Sequence, residues 1–355
     1  MKSNYFFLLP VIALASCNSS GKKKDGADVQ DTTQTVVKKD IELLPDRIMK
    51  DDSDVGVKKR AVFIYKKRGF EMFSGSPAMG KKYAEVINAY NRLKIPGLKI
   101  YNLVIPIGLE FEMRESFKDI NRPNKDVINA IFAAEDPEIV KVNPVDEIRK
   151  HRTEYIYFNT DHHWTSLGAY YAYRAFCAAA GLTPVSLDTV ASKVKPGFLG
   201  LFYRLTRDAG LKSNPDSVRY YLFRDSIDFY IGSSSISYWA KSHMYAESAS
   251  GDNSYSVFLQ GDLPICKIET QHKNGRKIAL VKESYGNAFA PFLLNNYEKV
   301  IVVDQRSYKG DFIAMLKAEG INELLFINNI FAAHTQFHID DIKGLMIKGA
   351  PKTQP

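Results

Sequence analysis

Residues 98–107 read LKIYNLVIPI, a nearly unbroken apolar run preceded by Pro96-Gly97. A strand with one face in water alternates apolar and polar residues. A run without that alternation predicts a strand covered on both sides, as in the parallel sheets of α/β proteins. Residues 277–282, 299–303 and 324–327 have the same character, with helix-forming stretches between them at 287–295 and 311–319. Earlier in the chain, 61–65 is a short apolar run of strand character. After it Tyr83, Val86, Ile87, Tyr90 and Leu93 fall at i, i+3, i+4, i+7 and i+10 of a helix. Val127, Ile128, Ile131 and Phe132 mark another helix, 139–142 a strand, 145–151 a short helix and 155–158 a strand. This alternation predicts a mostly parallel sheet with helices on both faces.

The alternation lapses between about 195 and 270. Tyr, Phe, Ser and Gly are frequent there, and 218–223 and 255–259 have strand character, so the stretch reads as a β-rich insertion forming a small lobe or lid. Its aromatics, among them Phe198, Phe202, Tyr203, Tyr230 and Trp239, serve core packing or line a sugar site.

Chemistry-bearing residues concentrate in 159–168, NTDHHWTSLG, where the run at 155–158 gives way to a helix with Thr165 or Ser166 as its N-cap and Gly181 as its stop. In an extended segment residues i and i+2 point to one side. Asp161 can then orient His163, with His162 facing the other way. Ser284 lies in KESYGN, a strand-to-helix turn that exposes a hydroxyl much as a nucleophile elbow does, although G-x-S-x-G is absent. Backbone N–H groups at Tyr285, Gly286 and Asn287, and side-chain donors from Asn287 or Arg306, are the candidate oxyanion or substrate contacts. Asp161, His163, Ser284 and Arg306 each follow the carboxyl end of an expected strand, where α/β sheets collect functional side chains. The chemistry this predicts is acyl transfer by a Ser284–His163–Asp161 triad, with no metal or cofactor.

TDHHWTSLGAYYAY, together with KESYGNAFAPFL later, resembles the DHHW protein family over roughly residue 61 to the end. More distantly it resembles the alginate O-acetylation proteins, whose SGNH-hydrolase-like domains carry Asp-x-His-Trp before a distant serine. The resemblance implies an SGNH-like three-layer α/β/α sandwich, with Ser284, His163 and Asp161 in the triad roles. His162 departs from the alginate proteins' motif, and the separate glycine and asparagine blocks of typical SGNH hydrolases are missing.

The first 17 residues set the expected compartment. Lys2 precedes an apolar run at 5–15, too short to span a bilayer and suited to a secretory signal. Leu14-Ala15-Ser16-Cys17 resembles a bacterial lipobox, which implies cleavage before Cys17 and lipid attachment to it. Residues 18–40 are Lys, Asp, Gly, Ser and Thr with little to bury, a flexible tether, and 41–355 are the expected domain. The protein is thus expected to be lipid-anchored in the bacterial cell envelope, outside the cytoplasm. Cys177 and Cys266 remain, with nothing in the sequence to pair them. The formal net charge of +8 suits solubility or an anionic surface, and no nucleic-acid motif accompanies it.

The expected function is a serine esterase or O-acetyltransferase acting on cell-envelope or extracellular polysaccharide. Two other classes stay open. One is a lipoprotein that binds glycan in the same crevice without turnover. The other is a metal phosphoesterase built on Asp-His-His, which needs further aspartates that 66–69, KKRG, do not supply.

Overall fold

The computed structural model describes residues 56–112, 121–223, 227–235 and 238–347. The signal, lipobox and tether, including Cys17, lie outside the described residues. A small antiparallel sheet opens the described chain, formed by β1 (Val57–Lys59), β2 (Val62–Tyr65) and β3 (Arg68–Glu71). The run at 61–65 therefore joins this meander and not the central sheet. Lys66 and Lys67 link β2 to β3 with φ of 46° and 61°. A two-residue turn with both central residues at positive φ matches the twist of a hairpin, and here it is made without glycine.

α1 (Pro77–Arg92) leads to β4 (Lys99–Ile105), and α2 (Leu109–Glu112) and α3 (Asn124–Ala134) follow. Next come β5 (Val140–Val142), α4 (Val145–Lys150) and α5 (Ser166–Ala180), and then β6 (Ser192–Phe198), α6 (Leu201–Thr206), α7 (Ala209–Lys212) and β7 (Asp216–Tyr221). β8 (Asp228–Gly232), β9 (Trp239–Ser242) and β10 (Ile265–Glu269) precede the closing alternation. That alternation is β11 (Lys277–Lys282), α8 (Tyr285–Phe289), β12 (Lys299–Asp304), α9 (Phe312–Ala318), β13 (Glu323–Asn329) and α10 (Gln336–Ile347).

The central sheet has the order β5-β4-β13-β11-β12-β10-β8-β9, parallel from β5 to β12 and antiparallel beyond. Neighbouring residues of β4 show its two covered faces. Tyr101 meets Phe176 of α5 edge-on, whereas Asn102 accepts the Tyr83 hydroxyl of α1 at 3.0 Å. α1, α3, α9 and α10 pack into one layer, and α4, α5 and α8 into the other. The result is a three-layer α/β/α sandwich.

The β-rich stretch divides. β6 and β7 pair as a separate two-stranded sheet, whereas β8, β9 and β10 extend the central one. β10 runs along β12 with Cys266 opposite Val302, covering an edge that would otherwise expose a row of unpaired backbone groups. Residues 255–259, expected as a strand, lie in the 3-10 segment Gly251–Gln260, which kinks at Phe258 and Leu259. Cys177 in α5 and Cys266 in β10 are free and buried, and burial pushes their thiols up to about 11 and about 12. No helix among the described residues is long and apolar enough to cross a membrane.

β11 and β12 are buried along nearly their whole length and β13 throughout. Their polar residues gather at the carboxyl ends, where Lys282, Glu283, Asp304, Gln305, Asn328 and Asn329 are all buried. β11 lies between β12, which follows it, and β13, which returns to its other side. A crevice opens where successive connections diverge in this way. Ser284 stands at its mouth.

Candidate active site

The stretch at 155–158 is not a strand of the central sheet. Residues 156–158 and 163–165 fold against each other: Phe158 N–H donates to His163 C=O at 3.2 Å and Thr165 N–H to Ile156 C=O at 2.9 Å. The only ladder contact there is a bridge between Tyr157 and Trp164. The cause is local, because α5 begins at Ser166 with the Thr165 side chain accepting the Gly168 N–H at 3.3 Å. A Cβ on Gly168 would stand 2.3 Å from the Ile156 carbonyl oxygen, so glycine lets the helix start this close.

The intervening loop is fastened from β7. Asp216, buried, accepts the N–H groups of Asn159 and Thr160 at 2.7 Å each, the Thr160 hydroxyl at 2.6 Å, and the Tyr155 hydroxyl. On the other side, Trp164 is fully buried and its Nε1 donates to the Tyr285 carbonyl at 3.0 Å, tying the motif to the Ser284 turn.

Asp161, His163 and Ser284 come together. Asp161 Oδ1 lies 2.6 Å from His163 Nδ1 and also accepts the His163 backbone N–H at 3.0 Å. The other oxygen, Oδ2, accepts the Leu201 N–H at 2.7 Å. Burial works to raise the Asp161 carboxyl. The adjacent imidazoles and these N–H donors outweigh it and hold the group well below the usual carboxylate range. His163 Nε2 then stands 2.7 Å from Ser284 Oγ. An Nδ1–H directed at Asp161 leaves Nε2 free to accept the serine proton. Gly200, just before α6, makes room for the carboxylate: a Cβ there would meet Asp161 Cβ at 2.2 Å.

His162 does not face away. The loop bends instead of running extended, so its ring packs on that of His163 with centroids 3.8 Å apart, and Nδ1 is 3.5 Å from Asp161 Oδ1. Burial, then the neighbouring His163, pushes the imidazole down to about 3, so it is neutral at physiological pH. Asp161, His162 and His163 offer potential metal-ligand atoms within 4.8 Å of one another. The 2.6 Å bond between Asp161 Oδ1 and His163 Nδ1 already engages one such atom of each. A small cavity behind the loop has Glu71, Asp161 and His162 on its wall. Burial, then the Asp161 and Glu283 carboxylates, pushes Glu71 up to about 8.

The Ser284 turn is unstrained. Ser284 has ordinary right-handed geometry, φ −56° and ψ −25°, and α8 is only five residues long. The expected backbone oxyanion donors are already committed. Tyr285 N–H donates to Glu283 Oε2 at 3.0 Å, Gly286 N–H to Glu283 C=O at 2.9 Å and Asn287 N–H to Ser284 C=O at 3.2 Å. Asn287 Nδ2 donates to Asp262 at 2.8 Å, and Arg306 is held by Asp304 and Asp262 at 2.6 and 2.8 Å. A tight turn satisfies its own amides, which an inspection of residue types does not reveal. The Ser284 N–H itself has no acceptor among the described residues.

Two neighbours carry no signal in the sequence. Glu283, buried and raised by that burial, spans the Asn329 N–H at 2.9 Å, the Tyr285 N–H and, at 3.3 Å, Ser284 Oγ. Tyr255, from the 3-10 segment, lies flat on His163 with centroids 4.0 Å apart and planes 14° apart, and its hydroxyl donates to the Ser284 carbonyl at 3.1 Å.

No curated protein matches the chain. Among solved structures, a DHHW family protein from Eubacterium siraeum is 29% identical, with a TM-score of 0.75 over 81% of this chain and 96% of that one. Bacillus cereus PatB1 is 16% identical, with a TM-score of 0.64 over 80% of this chain and 99% of its own. PatB1 with a sulfonyl adduct gives 16% and 0.63 over 78% and 98%. The chain thus shares its α/β fold with these structures. The family model described as DHHW protein matches residues 29–303, more than half of the sequence and including both the motif loop and the Ser284 turn. The chain therefore belongs to the DHHW protein family.

Proposed function

We propose that this protein is an exported, lipid-anchored serine esterase or O-acetyltransferase acting on cell-envelope or extracellular polysaccharide. One observation carries the chemistry: Ser284 Oγ, His163 Nε2, His163 Nδ1 and Asp161 Oδ1 form a hydrogen-bonded relay with links of 2.7 and 2.6 Å. Ser284 attacks an ester carbonyl while His163 takes its proton, and Asp161 stabilises the resulting imidazolium. The proton passes to the departing alcohol. The acyl-serine is then resolved by water or by a sugar hydroxyl, which His163 deprotonates in turn. The Ser284 N–H is the turn's available donor for the oxyanion, worth on the order of a hundredfold or more in rate if it acts as one.

PatB1, which shares the fold, is known with a sulfonyl adduct. This makes a sulfonyl fluoride and an activated acetyl ester the natural probes here. The test is intact-protein mass spectrometry of the chain from Asp40 onward after brief exposure to 4-nitrophenyl acetate, beside Ser284→Ala and His163→Ala. An acetyl adduct mapped to Ser284 and lost in both variants is the expected result. A folded protein with neither adduct nor turnover would overturn the acyl-transfer reading and favour a glycan-binding lipoprotein.

A further inference from the structure

His163 has ring neighbours at close range on two sides. Tyr255 is parallel to it at 4.0 Å and His162 is tilted by 37° at 3.8 Å. Centroid separations this short require each neighbour to sit over a face of the imidazole, since edge contacts hold centroids farther apart. One face of a five-membered ring cannot hold both. Tyr255 and His162 therefore cover opposite faces of the base.

Each of these two residues is also tied to the Ser284 turn. The Tyr255 hydroxyl donates to the Ser284 carbonyl at 3.1 Å, and the Tyr285 hydroxyl donates to the His162 carbonyl. The two ties run in opposite directions, one from the 3-10 segment into the turn and one from the turn into the motif loop. We infer that Tyr255 and His162 are positioning residues, a clamp that fixes the plane of the His163 ring on the line from Asp161 to Ser284. The inference deepens the acyl-transfer reading and rests on it.

The clamp has a chemical rationale. A general base must receive a proton from Ser284 and later deliver it to the departing alcohol on nearly the same line, and a freely turning imidazole loses that alignment. Once Ser284 is acylated its hydrogen bond to His163 is lost, and the imidazole, held then by Asp161 alone, is free to swing about its Cα–Cβ and Cβ–Cγ bonds. Rings on the two faces oppose that swing. The identity of each ring follows. An electron-rich tyrosine face attracts the imidazolium formed during the reaction. On the other face a neutral flat ring avoids the repulsion that Lys or Arg would bring, and His162, held uncharged by burial, meets that need. The tandem histidine thus has a role distinct from the base itself.

The test compares Tyr255→Leu and His162→Ala, which remove one ring each, with Tyr255→Phe and His162→Phe, which keep a ring. Labelling of Ser284 by phenylmethanesulfonyl fluoride, kcat and KM for 4-nitrophenyl acetate, and the Nδ1 proton resonance of His163 are measured on each. The ring-removing variants should label and turn over at least about tenfold more slowly with little change in KM, and their His163 proton signal should broaden. The phenylalanine variants should stay within about threefold of wild type. Wild-type labelling rates and a sharp proton signal in both ring-removing variants would overturn the clamp while leaving the triad standing. If the wild-type protein itself takes up no label, the acyl-transfer reading fails and the clamp with it. Using both sides guards against misfolding, because His162 is a fifth exposed and tolerates truncation more readily than the buried Tyr255.

Discussion

Asp161 spends both carboxylate oxygens on organising its surroundings: one orients His163, the other holds the start of α6 through Leu201. Asp161→Asn keeps the shape but offers an amide where the imidazole needs a carboxylate. We expect kcat/KM for an activated ester to fall by about 10³- to 10⁴-fold with the fold intact, as read by steady-state kinetics and circular dichroism. Gly200→Ala should be worse for stability than its size suggests, since its Cβ would stand 2.2 Å from Asp161 Cβ. Glu71 provides a pH test. Its folded-state value of about 8 stands above its ordinary 4.5, so the folded protein binds that proton more tightly than the unfolded chain. The stability this contributes is complete below pH 4.5 and is lost as pH rises through 8, on the order of 1.4 kcal/mol per pH unit within the window. In thermal melts from pH 5 to 9, Glu71→Gln should escape this part of the wild-type decline; parallel curves would refute it. At this scale the grouping of Asp161, His163 and Ser284, on which the proposed chemistry rests, was legible because their types and spacing carry chemistry. The direction of His162, and the parts of Asp216, Gly200, Glu283 and Tyr255, were not, because each acts through a contact distant in sequence or through a bend that spacing does not encode.

The turn after β11 rests on a charge network. Lys282 Nζ, fully buried, lies 2.8 Å from Asp304 Oδ2 and 3.2 Å from Asp262, and Arg306 closes the group by bonding both aspartates. Gly286 packs against the same lysine, where a Cβ would meet Lys282 Cβ at 2.5 Å. Removing Asp304 takes away the buried partner of this ammonium ion and leaves only the more exposed Asp262. Asp304→Ala should lower the unfolding free energy by about 3–5 kcal/mol in denaturant titrations, whereas a change below about 1 kcal/mol would mean that the network is dispensable. The β2–β3 turn predicts the opposite sign. Lys67 holds φ 61° without being glycine, so Lys67→Gly relieves a conformation costing L residues roughly 1 kcal/mol and should raise Tm by a few degrees. Helix α1, strand β4 and the closing alternation were legible because their periodicity or unbroken apolar character records burial directly. Residues 155–158 and 255–259 misled, since a few apolar residues in a row describe a buried segment of any backbone shape.

At the scale of the whole molecule, the proposed lipid anchor at Cys17 is open to a direct test. Replacing Cys17 with serine should move the protein from the membrane to the soluble fraction while leaving ester turnover of the solubilised protein unchanged; unchanged membrane association would rule out lipid attachment at that residue. The sequence by itself determined the three-layer α/β class and the family, and it singled out Asp161, His163 and Ser284, the residues on which the proposed chemistry rests. Apolar runs and side-chain chemistry are local properties written residue by residue. Only the tertiary structure decided which strands of the β-rich stretch join the central sheet and that the expected oxyanion amides are already spent. It also decided that His162 lies on His163 and that Tyr255 reaches the same ring. These follow from strand pairing, turn geometry and ring contacts between residues distant in sequence, whose partners no local pattern specifies.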